Sequence, residues 1–276
     1  MTMNKTTPQF MPHQQCSPGH EPTVMENKIS VVINTYNAEK HLKEVLEAVK
    51  GFDEIVICDM ESTDNTRDIA GEYGCRIVTF PKGNHKSAEP ARTFAIQSAA
   101  CKWVLVVDAD EIITPELRGY LYERIKEPNC PAGLYIPRHN KFMGAYNRNW
   151  SHDYQLRFFL REGTTWPPHV HTFPTVKGRT ERIPTAYRMI HLADESMHQW
   201  VAKMNEYTDN EVVKKSRKGY GTGALLWRPA WRFFRSYFIQ RGYMMGKRGF
   251  VSSVLSAIYQ AVLVSKIIEN QLRKEQ

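Results

Sequence analysis

A short apolar run ending in acid constrains this chain more than any other feature: Lys102-Trp-Val-Leu-Val-Val-Asp108-Ala-Asp110-Glu111. Five apolar residues, Trp103 to Val107, are too few for a helix and rich in β-branched side chains, so they read as a strand buried on both faces. Three carboxylates follow, and Thr114-Pro115-Glu116 opens the next helix. In an open α/β sheet, ligands bind beyond the carboxyl ends of the strands. An Asp-x-Asp at that edge is placed to hold a hard divalent cation and, through it, a diphosphate. For an isolated Asp-Ala-Asp the alternative is a solvated acidic turn.

The preceding residues supply a sheet for that strand. Ile29 to Asn34 reads as a first buried strand. A helix capped by Asn37 then runs to Lys50, with Leu42, Val45, Leu46 and Val49 at helical spacing and Gly51 as its stop. Glu54 to Asp59 is the second strand, and the capping cluster Glu61 to Thr66 opens a helix ending at Tyr73-Gly74. Arg76 to Phe80 is the third, and Pro90 begins a helix to Ala100. This alternation predicts an α/β fold, a mainly parallel, doubly wound sheet with helices on both faces. Beyond a helix over 115–126 the rhythm changes. Strands at 133–137 and 155–160 are separated by loops rich in Asn, Arg, Trp and His, and a polar helix spans 196–215.

Three strand ends present polar groups to one edge: Thr35 and Asn37, then Asp59, then Asp108 and Asp110. The first βα turn has no Gly-x-Gly-x-x-Gly, which argues against a dehydrogenase-type dinucleotide fold. Without a glycine loop to cradle phosphates, a metal on the Asp-x-Asp is the natural substitute. Asp59 is placed either to bond a nucleobase or ribose or to cap the helix after it.

Val31-Val-Ile-Asn-Thr-Tyr-Asn37, Glu54-Ile-Val-Ile-Cys-Asp59, Ser62-Thr-Asp-Asn-Thr66 and Val107-Asp-Ala-Asp-Glu111 together resemble family-2 glycosyltransferases, which have a GT-A, Rossmann-like fold. Asp153-Tyr-Gln-Leu-Arg157, Val170-His171 and Arg228-Pro-Ala-Trp-Arg-Phe-Phe-Arg235 look like the bacterial branch containing the lipopolysaccharide-core β-1,4-glucosyltransferases. The resemblance covers about 28–266. It implies inverting transfer of a hexose from a nucleotide-diphosphate sugar, UDP-glucose-like, with Mg²⁺ or Mn²⁺, to a lipopolysaccharide-core or other lipid-linked saccharide. Thr35, Asn37 and Asp59 would line the nucleoside pocket, Asp108 would face the ribose or a metal water, and Asp110 would bind the metal. Arg92 is a candidate phosphate partner, with a surface arginine as the alternative. His171 is a candidate third metal ligand, with a hydrogen-bonded structural histidine as the alternative, and Thr172 stands where relatives carry glutamate. Inverting transfer needs a carboxylate to deprotonate the acceptor hydroxyl. Asp153 is the candidate, unless it caps a turn or pairs with Arg157. Glu111 is the second choice, better suited to a structural role.

The charge is uneven. The chain of 276 residues carries a net +8, yet residues 222–276 hold nine Lys/Arg against two Asp/Glu. A basic tail implies an anionic partner. Trp227, Trp231, Phe233, Phe234, Tyr237 and Phe238 alternate there with Arg228, Arg232, Arg235 and Arg241, a mixture suited to amphipathic helices in the headgroup layer of an anionic membrane. The apolar run 250–264 carries three serines and a glutamine, and reads as too short and too polar to span. No nucleic-acid module accompanies the tail, so nucleic acid is not expected as a partner. The division expected is a disordered extension over 1–27, a catalytic domain over 28–221 and membrane-associating helices over 222–276. The location implied is peripheral, at the cytoplasmic face of a bacterial inner membrane. Two enzymes sharing the fold compete, a sugar nucleotidyltransferase and a polyprenyl-phosphate glycosyltransferase, as does a non-catalytic membrane scaffold.

Overall fold

The computed structural model describes residues 25–85, 87–146, 153–168, 172–192, 196–215 and 219–275. Its first half follows the alternation of the sequence: β1 (Met25–Thr35), α1 (Glu39–Val49), β2 (Glu54–Asp59), α2 (Thr66–Glu72), β3 (Arg76–Thr79), α3 (Glu89–Ser98) and β4 (Cys101–Asp108). β5 (Glu111–Ile113), α4 (Pro115–Arg124), β6 (Gly133–Phe142), β7 (Ala145–Tyr146), β8 (Asp153–Leu160), β9 (Thr180–Arg182) and β10 (Met189–His191) follow. The C-terminal part holds α5 (Met197–Lys215), α6 (Ala224–Phe234) and α7 (Gly246–Glu275).

The strands form one sheet in the order β3-β2-β1-β4-β8-β6-β10-β5, with β7 and β9 also paired to β6. β3, β2, β1 and β4 are mutually parallel. β8 joins β4 antiparallel and pairs with β6 in the same sense, so the second half is mixed. Successive side chains on β1 and β4 point to opposite faces, and both faces are dry. Val31, Ile33, Leu105 and Val107 meet α1, α2 and α4 on one side. Val32, Val104 and Val106 meet α3 and Phe159 on the other. This two-sided burial is why the run 103–107 could stay apolar throughout.

Three boundaries differ from expectation for local reasons. β1 begins at Met25, whose partner is Cys101, so residues 25–27 belong to the sheet and not to an extension. Residues 1–24 of that expected extension lie outside the described residues. Asn37 does not cap α1, because its φ is +49 and its Oδ1 accepts the amide of Thr63 at 2.8 Å. The amides at the start of α1 are instead met from across the sheet edge. Asn37 N donates to Ser62 Oγ, Ala38 N to Thr66 Oγ1 and Glu39 N to Asp64 Oδ2. The capping cluster 61–66 therefore serves the neighbouring helix, and α2 starts only at Thr66. Orphan N–H groups at a helix start take whatever acceptor the fold supplies. α4 behaves as read, with the Thr114 hydroxyl accepting from Leu117 N and Pro115 at its first turn.

α7 corrects the reading of the tail. It is one continuous helix of 30 residues, long and apolar enough by length and composition to cross a membrane. Only 28% of its most apolar window is buried. Its middle is tied to charged groups of α5: Lys266 Nζ meets Asp209 Oδ1 at 2.6 Å, and Tyr259 donates to Glu211 at 2.6 Å.

Candidate active site

The carboxyl ends of β1, β2 and β4 surround a cleft of about 370 Å³ lined by Asn34, Thr35, Tyr36, Met60, Lys82 and Asp110, among others. Parallel register brings these ends level: Thr35 pairs with Asp59 and Asn34 with Asp108. Lys82 Nζ stands 4.7 Å from the Tyr36 ring centroid, leaving an aromatic face and a cation at the mouth. The amide of Asn34 is buried and neither its oxygen nor its nitrogen has a partner among the described residues.

Asp59 is sealed. It is fully buried, accepting from the Thr35 hydroxyl at 3.0 Å, from Ser62 N at 3.0 Å and from the Ser62 hydroxyl, with Arg67 at 3.4 Å. Of the two roles expected for it, the structure shows neither a helix cap nor a carboxylate open to a base; Asp59 fixes Thr35 and the loop behind the cleft. Asn37 is likewise committed to Thr63.

Asp108 and Asp110 are two residues apart and live in different surroundings. Asp108 is gripped by Arg157, which donates from Nη1 to Oδ1 at 3.3 Å and from Nη2 to Oδ2, and by Arg92 Nη2 at 2.8 Å. Burial opposes its charge, but Arg157 and then Arg92 hold the carboxyl well below the usual range. Both oxygens of Asp108 are thus committed to arginine. Arg92, expected to face a phosphate, is buried against Asp108, although its Nε and Nη1 have no partner among the described residues. Asp110 lines the cleft, and its side chain is approached by His191 Nε2 at 3.2 Å.

The arginine network continues inward. Buried Glu111 accepts from the Asp108 amide and from Arg138 Nη1 at 3.2 Å, with Arg157 Nη2 at 3.5 Å. Arg138 also donates from Nε to Asp153 Oδ2 at 2.9 Å. Three carboxylates (Asp108, Glu111, Asp153) thus alternate with three arginines (Arg92, Arg157, Arg138). Buried charges persist only when paired in this way. Trp166 covers the assembly, its ring centroid 4.5 Å from the Arg92 guanidinium and 5.6 Å from that of Arg157. Asp153 pairs with Arg138 and not with Arg157, and also accepts from Asn140 at 2.9 Å and Gln155 at 2.6 Å. Burial would raise its pKa, but Arg138 and these amides lower it, so it is ionised at neutral pH.

The sequence reading missed Arg138, Trp166 and the pairing of His191 with Asp110. The signal for the arginines was present, since an arginine amid strand residues needs carboxylate partners. His191 ends a three-residue strand whose place beside β5 no local pattern announces. His171 lies outside the described residues.

Among the described residues no group of three His, Cys, Asp or Glu is gathered to hold a metal. The pair Asp110 and His191 suits a cation that takes one or two protein ligands and completes its shell from substrate phosphates and water, the habit of Mg²⁺ and of sites like it.

Comparison with known proteins agrees with this geometry. Several curated relatives align along almost the whole chain. An uncharacterized glycosyltransferase of Rickettsia typhi is 26% identical over 272 residues, covering 89% of this chain and 88% of the relative. A lipopolysaccharide core biosynthesis glycosyltransferase, LpsC of Rhizobium meliloti, is 24% identical, with 89% and 94% covered. Among solved structures, glucosyl-3-phosphoglycerate synthase of Mycobacterium tuberculosis, crystallised with Mn²⁺, UDP and its product, matches 48% of this chain and 51% of its own at 21% identity and a TM-score of 0.33. The model of glycosyl transferase family 2 matches residues 30–181, more than half the chain and all of the cleft between β1 and β8. The sheet order, the acidic end of β4 and that match agree: the chain is a glycosyltransferase belonging to family 2.

Proposed function

We propose that this enzyme transfers a hexose, with inversion, from a UDP-sugar to a lipid-linked saccharide of the lipopolysaccharide-core class. The observation that carries the reading is the cleft at the ends of β1 and β4, lined by Asn34, Thr35, Tyr36 and Asp110, with His191 paired to Asp110. Asn34, Thr35 and Tyr36 are placed to receive the nucleoside. Asp110 and His191 would hold Mg²⁺ or Mn²⁺. Such an ion would offset charge on the diphosphate as it leaves. Asp108, locked by Arg92 and Arg157, keeps the β4 end rigid and the cleft electrostatically balanced.

Asp153 is the candidate general base. Being ionised at neutral pH, it can accept the proton of the acceptor hydroxyl while the oxygen attacks the anomeric carbon from the side opposite the nucleotide. Arg138, Asn140 and Gln155 orient the carboxylate and at the same time weaken it as a base.

The acceptor class draws on the resemblance to LpsC and on the tail. α6, α7 and the turn between them expose Leu226, Trp227, Trp231, Phe238, Ile239 and Tyr243 beside several arginines. This composition supports peripheral binding to an anionic membrane, in keeping with the cytoplasmic face of a bacterial inner membrane. A spanning α7 would carry Asp209 and Glu211 of α5 into hydrocarbon, at high cost.

Calorimetric titration of UDP, GDP and their hexose conjugates, with and without Mn²⁺, tests the donor half. Metal-dependent binding of a UDP-sugar is expected; no binding of any nucleotide by the folded protein rejects the reading.

A further inference from the structure

The turn joining β6 to β7 runs against its own stereochemistry. Phe142 pairs with Ala145, leaving the two-residue loop Met143-Gly144 with φ of +52° and +77°. Two positive φ values define the mirror-image turn that matches the twist of a hairpin, and its first position favours Asn, Asp or Gly. Met143 holds that position with a strained backbone, and its apolar side chain is 44% exposed. Tyr146 on the same hairpin is equally exposed. Neither local geometry nor solvation accounts for a methionine here, and such local violations gather at functional surfaces.

The turn is fastened to the C-terminal helices. Arg248, near the start of α7, donates from Nε to the Met143 carbonyl at 2.8 Å. Beside it lies the tip between α6 and α7, with Phe238, Ile239, Tyr243, Met244 and Phe250 all exposed. Arg241 in this tip is also left-handed, at φ +57°. Gly249 is obligatory, because a β-carbon there would stand 1.8 Å from the Gly242 carbonyl oxygen. The segment from Val212 to Ile268 contains eleven Lys/Arg and no Asp or Glu. Its cations, Arg241 and Lys247 included, have no acid in their own segment to pair with.

We infer that the Met143-Gly144 turn belongs to the same lipid-facing surface as the α6–α7 tip, so that the acceptor side of the active site opens directly onto an anionic bilayer. This rests on the peripheral-membrane reading above. Burial in the interface gives the methionine the environment that offsets its strained backbone. β6 leads back from the turn to Asn140 and Arg138, both bonded to Asp153. Two residues of strand, Lys141 and Phe142, separate Met143 from Asn140, which makes three rises or about 10 Å at about 3.3 Å each. The hydroxyl presented to Asp153 therefore lies within a short glycan of its lipid anchor.

The test uses the full chain and its Met143→Asn and Met143→Leu variants, sedimented with phosphatidylcholine vesicles with and without phosphatidylglycerol. Asparagine suits the turn and leucine keeps the apolar contact. M143N is expected to melt no lower than the parent while partitioning roughly tenfold more weakly onto the anionic vesicles, the effect of one lost buried side chain. M143L is expected to bind like the parent. Hydrolysis of the sugar nucleotide without vesicles should be unchanged in both. If M143N binds as tightly as a parent that itself binds, this inference falls and the membrane reading stands. A parent that ignores anionic vesicles overturns both. Equal loss of binding in M143N and M143L, with lowered melting temperatures, assigns Met143 to the fold and overturns the inference.

Discussion

The β4 edge and the C-terminal helices use the same side-chain types in opposite ways. At β4, arginines are buried or half-buried, and each is answered by a carboxylate: Arg92 and Arg157 by Asp108, Arg138 by Glu111 and Asp153. Tryptophan there is covered as well, with Trp103 and Trp166 buried. On α6 and the tip beyond it, Arg235 and Arg241 are exposed without acids in their segment, and Trp227 and Trp231 face outward. A charge buried from water must find its partner within the fold; a charge left outside is solvated by water, and uncovered aromatics beside it mark a surface open to a partner. The first region is complete in itself and the second is not.

Five variants sharpen this contrast, beginning with the largest effect. Asp110 is the cleft carboxylate with no arginine, so Asp110→Ala should cut transfer on the order of a thousandfold with little change in melting temperature. An unchanged turnover would remove it from the site. Arg157→Ala should cost about 3–5 kcal/mol in urea denaturation, because buried Glu111 and half-buried Asp108 lose their shared partner. The exposed Arg235→Ala should change stability by no more than about 0.5 kcal/mol. Equal effects would erase the distinction between the regions.

Replacing Trp227 and Trp231 by serine should leave the unfolding curve nearly unmoved and weaken association with anionic vesicles about tenfold or more, read by sedimentation. Removing Arg138 acts on pH dependence. The folded-state pKa of Asp153 is lowered, so the base is lost only as pH falls through that depressed value. Arg138→Ala should therefore move the acidic limb of the kcat/KM profile to higher pH. A limb that stays in place would dissociate Asp153 from the proton transfer. The same sign holds for stability: the contribution of the depressed Asp108 is present above the unfolded carboxylate pKa and fades as pH drops below it.

Much of the fold was legible because its signals are local. The apolar run 103–107 and the spacing of Leu42, Val45, Leu46 and Val49 are properties of short segments, and burial confirmed each. The capping cluster 61–66 was legible as a cluster, but not as the cap of α1, since its targets lie some 25 residues away in sequence. The site divided along the same line. Asp110 was legible from its place after a buried strand. Its companion His191 and the shared Arg138 come from β10 and β6, brought alongside β5 and β8 by pairings that leave no mark in composition or period. The spanning length of α7 was underread because its serines look polar in a window. In three dimensions Ser253 turns inward, to Ser236 and to the Gly249 carbonyl.

By itself the sequence determined the parallel half of the sheet, the acidic strand end and the family, since hydrophobic periodicity and contiguous motifs act over a few residues at a time. Only the tertiary structure decided that Asp108 is locked while Asp110 is open, that Asp153 answers to Arg138, and that Met143 meets the C-terminal helices. Each of these depends on which distant side chain lies within about 3 Å, the range over which a hydrogen bond or ion pair forms, and chain order does not encode that distance.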